Sequence, residues 1–137
     1  MAIKLLIADD HDFVRGALSD LFADTGDIDV VAQCTDGSQV AAAAERTLPD
    51  VVLMDLEMPR MTGLEAAREL LDVNPQARVV MHTGLLCPTS VSAARKLGVA
   101  GYLLKGEDPD GLADQVRAVA AGRTVWSPAV AAPAPCS

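Results

Sequence analysis

Five side chains in this 137-residue sequence could do chemistry together: Asp9 and Asp10 after one apolar run, Asp55 after another, Thr83 after a third and Lys105 after a fourth. Carboxylates gathered in one place repel. Two unit charges ~5 Å apart cost roughly 3 kcal/mol at an effective dielectric of ~20, and a third adds to that. A divalent cation relieves the conflict, and an all-oxygen set with few carboxylates and room for waters selects Mg2+, or Mn2+ in its place, over a caged Ca2+. Asp9 and Asp10 are chain neighbours and cannot both point the same way, so one is expected to bind metal directly and the other through water. Carboxylate, cation, ammonium and hydroxyl together suit a phosphoryl group: Asp55 can attack phosphorus to form an aspartyl phosphate while positive charge neutralises the equatorial oxygens. Neither Lys105 nor Thr83 completes a Ser-His-Asp or Cys-His arrangement. Thr83 is expected to gain a partner only when the phosphoryl group is present, which would make it part of a switch.

These residues need a scaffold that brings them together. Ile3 to Ala8, Ile28 to Cys34, Asp50 to Met54, Ala77 to Met81 and Ala100 to Leu104 are short apolar runs that read as buried strands. Between them, helical spacing is carried by Phe13, Val14, Ala17, Leu18, Leu21 and Phe22, by the alanine-rich stretch from Asp36-Gly37-Ser38 to Thr47, and by Leu64, Ala67, Leu70 and Leu71. Pro88 to Leu97 and Asp108 to Ala121 complete the series, closed by Gly98 and Gly122. Five βα units in strict alternation call for a parallel sheet with helices on both faces, and right-handed crossovers bring every strand's carboxyl end to one edge. Asp9, Asp10, Asp55, Thr83 and Lys105 all fall on that edge, where open α/β sheets place their ligands.

Composition narrows the possibilities. The length suits one domain, and half of the residues are hydrophobic but few are aromatic, so aliphatic side chains must fill the core. A net charge of −8 argues against a nucleic-acid surface on this chain. Cys34, Cys87 and Cys136 lack metal or disulfide spacing and fit a reducing compartment. The start of the chain resembles neither a signal peptide nor a membrane anchor, so a cytoplasmic location is expected. Residues 125–137 are Ala/Pro-rich after Val125-Trp126-Ser127-Pro128 and read as a linker or tail, with Trp126 as its anchor.

Taken in order, Asp9-Asp10, Asp55 within Val51-Val52-Leu53-Met54-Asp55-Leu56-Glu57-Met58-Pro59, Gly63, Thr83 and Gly101-Tyr102-Leu103-Leu104-Lys105 resemble a receiver domain of a bacterial two-component response regulator, over roughly residues 1–124. Ala8-Asp9-Asp10-His11, Val99 to Lys105 and the ending Gly122 to Pro128 are similar to the NarL/FixJ-type branch, the LuxR family. Its members usually continue into a helix-turn-helix, for which this sequence shows no counterpart. The resemblance implies a flavodoxin-like, CheY-like doubly wound five-stranded sheet of order 2-1-3-4-5. It implies Asp55 as phosphoacceptor, Asp9 and Asp10 as the acid pair with Asp10 the more direct Mg2+ ligand, and the Glu57 backbone carbonyl as a further ligand. Lys105 would hold a phosphoryl oxygen, and Thr83 with Tyr102 would couple the site to the face formed by the fourth helix, fifth strand and fifth helix. Implied partners are a sensor histidine kinase and, on phosphorylation, a second copy of the chain. Implied output is transcription through a separate DNA-binding domain; the only chemistry would be self-directed phosphotransfer and autodephosphorylation.

Two features depart from the family pattern: Gly106 stands where proline often follows the lysine, and Leu85-Leu86-Cys87 makes the loop after Thr83 apolar. Leu85 is expected to shield the phosphoryl group from water and give a phospho-form lasting minutes or longer. Tyr102 can equally be plain core. His11 and His82 flank the cluster without the companion His or Cys that a nitrogen-rich metal site needs, and both read as structural. Two other functions fit parts of the pattern. A Mg2+-dependent phosphohydrolase shares the nucleophilic Asp, with Glu57 as an acid two residues on, but needs a cap the chain has no residues to build. An unphosphorylated interaction module on the same fold leaves the complete cluster without purpose.

Overall fold

The computed structural model describes residues 2–84, 86–106 and 109–128, the side chains of 109 and 110 excepted. Its strands are β1 (Ile3–Ala8), β2 (Ile28–Cys34), β3 (Val51–Met54), β4 (Val79–Thr83), β5 (Gly101–Leu104) and β6 (Val125–Trp126). Its α-helices are α1 (Asp12–Ala23), α2 (Val40–Thr47, preceded by a 3-10 turn over Gly37–Gln39), α3 (Gly63–Val73), α4 (Pro88–Leu97) and α5 (Pro109–Ala120). The sheet is parallel throughout in the order β2-β1-β3-β4-β5-β6. No helix among the described residues is long and apolar enough to cross a membrane.

Successive strand residues point to opposite faces, and the two faces bury different helices. Leu6, Ala8, Val52, Met54, Val79, Met81 and Tyr102 pack with Val40, Ala43, Ala66, Leu70, Val91 and Ala94 beneath α2, α3 and α4. Leu5, Ile7, Leu53, Val80 and Leu103 pack with Leu18, Phe22, Leu112, Val116 and Val119 beneath α1 and α5. This double burial explains why the strands read as unbroken apolar runs rather than alternating ones.

β3, β5 and the end of α5 each differ from the sequence expectation by one residue, and two larger differences concern β4 and the sheet edge. β4 begins at Val79, two residues later than Ala77, because the Ala77 N–H turns back to the Asn74 carbonyl at 3.0 Å and is lost to the ladder. The strand also runs on through His82 and Thr83, which pair with Leu103 and Leu104. The sheet also has a sixth strand beyond the expected five, formed from Val125 and Trp126, which the sequence assigns to the tail. Val125 N–H donates to the Ala100 carbonyl at 2.9 Å and Ser127 N–H to the Tyr102 carbonyl at 3.0 Å. Gly101 permits this approach, since a Cβ there would collide with the Val125 carbonyl oxygen. The fully buried Ser127 accepts from the Leu104 N–H at 2.9 Å, and the Arg95 guanidinium lies 4.2 Å from the centroid of the half-buried Trp126 ring. The Arg95–Trp126 contact links this edge strand to α4. Asp108, expected to open the last helix, and residues 129–137, including Cys136, lie outside the described residues.

Candidate functional site

Strand pairing places the acids. Ala8 is in register with Met54, and the Asp55 N–H donates to the Ala8 carbonyl at 2.8 Å, so Asp9 and Asp55 leave adjacent strand ends side by side. The Asp9 N–H donates to the Cys34 carbonyl at 3.0 Å, which fixes the turn into Asp10. On the other flank Thr83 pairs with Leu104, and the Lys105 N–H donates to the Thr83 carbonyl at 2.7 Å. The four strand ends thus deliver the expected residues to one edge. Behind Asp55 the chain turns at Arg60, whose φ of 67° is left-handed, and enters α3 through a capping box in which Thr62 and Glu65 satisfy each other's backbone N–H groups. Gly63 presses against the Asp55 peptide: its N–H donates to the Leu56 carbonyl at 2.8 Å, and a Cβ would strike the Asp55 carbonyl oxygen.

Asp9 and Asp55 are both buried, at 1% and 4% exposure. Lys105 Nζ donates to Asp9 Oδ2 at 2.8 Å and lies 3.4 Å from Asp55 Oδ2. The other Asp9 oxygen, Oδ1, accepts from the His11 backbone N–H at 2.9 Å and faces His11 Nδ1 at 3.2 Å. Burial pushes the Asp9 carboxyl up, but the Lys105 hydrogen bond and the His11 N–H outweigh it and hold Asp9 below its ordinary value. Asp55 goes the other way. Burial first, and then the Asp9 charge, raise it to about 6 against the pull of Lys105 and the Glu57 backbone N–H. Burial disfavours the Lys105 ammonium, yet hydrogen bonding to Asp9 and the charge of Asp55 keep it above its usual value.

The residues present fit a hard divalent cation. Asp9, Asp10 and Asp55 offer carboxylate oxygens that, with a His11 ring nitrogen, all lie within 4.8 Å of one another. Asp10 Oδ1 is buried and makes no hydrogen bond, and a buried carboxylate oxygen left this way is poorly satisfied until it meets a cation. Asp55, held partly protonated near neutrality by burial, would be ionised by the same charge.

Thr83 is buried at the end of β4 and is not without a partner there. Tyr102 is fully buried among the residues beneath α3 and α4, close to Cys87 at the start of α4. The Glu57 side chain is exposed, and its backbone N–H points at the Asp55 carboxylate. Leu85, expected to shield the phosphoryl group, lies outside the described residues. His82 is buried, and burial, followed by the Lys105 charge, lowers it to about 4, so it is neutral at physiological pH.

A doubly wound sheet with an acidic pocket and a lysine at its carboxyl edge defines a class of signalling module. The sequence model of the response regulator receiver domain matches residues 5–117, and the chain belongs to that family, whose members are two-component signalling proteins and not conventional enzymes. The response regulator protein VraR of Staphylococcus aureus is 37% identical over 130 residues, covering 95% of this chain and 62% of the relative. The chain thus spans just under two thirds of the length of such relatives. Among solved structures, a LuxR-family two-component response regulator from Aurantimonas sp. SI85-9A1 superposes with a TM-score of 0.90 at 30% identity, covering 96% of this chain and 94% of that one. A LuxR-family DNA-binding response regulator from Staphylococcus aureus gives 0.81 at 30% identity, covering 86% and 98%.

Proposed function

We propose that the chain is a phosphorylation-dependent switch in which Asp55 is the phosphoacceptor. The observation that carries this reading is the Asp55 carboxylate, buried at a strand end with Lys105 Nζ 3.4 Å from its Oδ2 and two further acids beside it. An Asp55 oxygen attacks phosphorus of a sensor kinase's phosphohistidine or of a small phosphodonor; the P–N or P–O bond breaks, and the leaving group departs with its electron pair and takes up a proton. Asp10, Asp55 and the Glu57 backbone carbonyl would hold Mg2+ or Mn2+ directly, with Asp9 contributing through water. When bound, that ion supplies neutralising charge for the transferring phosphoryl oxygens. Lys105 exchanges part of its contact with Asp9 for a phosphoryl oxygen, and Thr83 turns its hydroxyl toward the same group. Tyr102, on the strand that carries Lys105, follows, and a pre-existing equilibrium shifts at the α4-β5-α5 face.

The switch is proposed to act in the cytoplasm, to be loaded by a sensor histidine kinase, to pair with a second copy when phosphorylated, and to control transcription through a DNA-binding domain. The receiver unit comprises residues 1–124 together with the β6 edge, and the chain beyond it serves as a linker. Acetyl phosphate or beryllofluoride with Mg2+ should modify or occupy the wild type and leave Asp55→Asn unchanged. Stoichiometric labelling that survives Asp55→Asn would overturn the assignment.

A further inference from the structure

His11 occupies the N-cap position of α1, where Ser, Thr, Asp or Asn normally accepts a hydrogen bond from the first turn. It makes no capping bond. Its side chain is 64% exposed, so packing does not dictate its orientation, yet the ring turns into the acidic pocket. Nδ1 lies 3.2 Å from Asp9 Oδ1, 3.1 Å from Asp10 Oδ1 and 3.9 Å from Asp55 Oδ2. In an octahedral site with bonds of about 2.1 Å, neighbouring donors stand about 3.0 Å apart and opposite donors about 4.2 Å. The nitrogen is therefore spaced from Asp9 and Asp10 as a neighbouring donor would be, and its separation from Asp55 lies between the two values.

The hydrogen bonding of the acids supplies the second observation. Both Asp9 oxygens are already taken, Oδ2 by Lys105 and Oδ1 by the His11 backbone N–H, whereas Asp10 Oδ1 has no hydrogen-bond partner. Asp9 is thus poorly placed to give a lone pair to an ion without losing bonds it has. Asp10 Oδ1 remains as the open carboxylate oxygen, and His11 Nδ1 lies 3.1 Å from it.

We propose that His11 Nδ1 is a direct donor to the divalent ion at this site, so that the site prefers first-row ions with affinity for imidazole, such as Mn2+ and Ni2+, over Mg2+. This rests on reading the acidic cluster as a cation site. Ligation requires the ring hydrogen on Nε2, leaving the Nδ1 lone pair for the ion. Oxygen-only sites suit Mg2+, and an imidazole shifts the order toward metals along the Mn2+ to Ni2+ series.

The test uses the untagged 137-residue chain with Mg2+, Mn2+ and Ni2+ titrated separately by calorimetry. The ligand itself is identified by 14N coupling in the pulsed electron paramagnetic resonance of bound Mn2+. The wild type should bind one Mn2+ with a directly coupled 14N, and His11→Ala should abolish that coupling. The same change should cut Ni2+ affinity at least about tenfold while moving Mg2+ affinity little, and Asp10→Asn should weaken all three ions. Wild-type Mn2+ binding without 14N coupling, or an unchanged Ni2+ to Mg2+ ratio in His11→Ala, would overturn the role of His11 and leave the acidic site standing. Wild type that binds none of the three ions would overturn the cation site as well.

Discussion

Replacing Asp55 with Asn should stabilise the metal-free chain at neutral pH, although Asp55 is the residue on which the proposed function depends. Its carboxyl is raised from 3.8 to about 6 by burial and by the Asp9 charge. Each unit is worth about 1.4 kcal/mol, so keeping Asp55 ionised at pH 7.5 costs up to about 3 kcal/mol. The folded-state value exceeds the unfolded one. The associated stability is therefore fully present below about pH 4 and is lost as pH rises through about 6. Asn keeps the shape and removes the charge. Lys105 retains its 2.8 Å bond to Asp9 but loses its second carboxylate, which offsets part of the gain. The net expectation is about 1–3 kcal/mol at pH 7.5, or roughly 3–10 °C in melting temperature for a domain of this size. Urea denaturation with a chelator present, run from pH 4 to pH 8, measures the difference directly. It should be largest at high pH and shrink on acidification. An Asn variant less stable than wild type at pH 7.5, or a difference independent of pH, would refute the view that burial and Asp9 outweigh Lys105 at this carboxylate.

Three further outcomes follow from the geometry. His82, lowered from 6.5 to about 4, contributes stability that is present above pH 6.5 and lost toward pH 4; His82→Gln should remove up to about 3 kcal/mol of that pH-dependent term in denaturant titrations and leave the opposing Asp55 term uncompensated. Because Asp55 acts in the opposite sense over the same interval, the single variants should show steeper and opposite pH dependences than the wild type. Gly63→Ala drives a methyl group into the Asp55 carbonyl oxygen and should cost about 1–3 kcal/mol in chemical denaturation while weakening beryllofluoride binding. Trp126, the single tryptophan, packs beside Arg95 of α4, so beryllofluoride with Mg2+ should change its fluorescence in the wild type and leave Asp55→Asn unchanged.

The scaffold was legible where burial on both faces of the sheet wrote itself as continuous apolar runs, and the bounds of β1, β2 and α4 coincide with the sequence reading. Asp9, Asp10, Asp55, Thr83 and Lys105 were legible because each ends such a run. What escaped depends on contacts between distant residues. Val125-Trp126 is too short to show any period, and its strand character comes from the missing Cβ of Gly101 and the hydroxyl of Ser127. The position of Lys105, closer to Asp9 than to Asp55, follows from side-chain geometry that spacing does not encode. His11 read as structural because no second His or Cys accompanies it, and the approach of its Nδ1 to the Asp9 and Asp10 carboxylates is geometry that spacing does not encode.

The Ser127 hydrogen bond ties two things that the fold could have kept apart. Its hydroxyl oxygen holds the amide of Leu104, one peptide unit before Lys105. The strand bearing the lysine and the segment by which the chain leaves the sheet are therefore stitched at adjacent rungs, by Val125 to Ala100, Ser127 to Tyr102 and Leu104 to Ser127. Any displacement of Lys105 along β5 is a shear on that seam. The exit path thus acts as a mechanical tether to the lysine, and cutting one stitch would slacken the tether without touching an acid of the pocket.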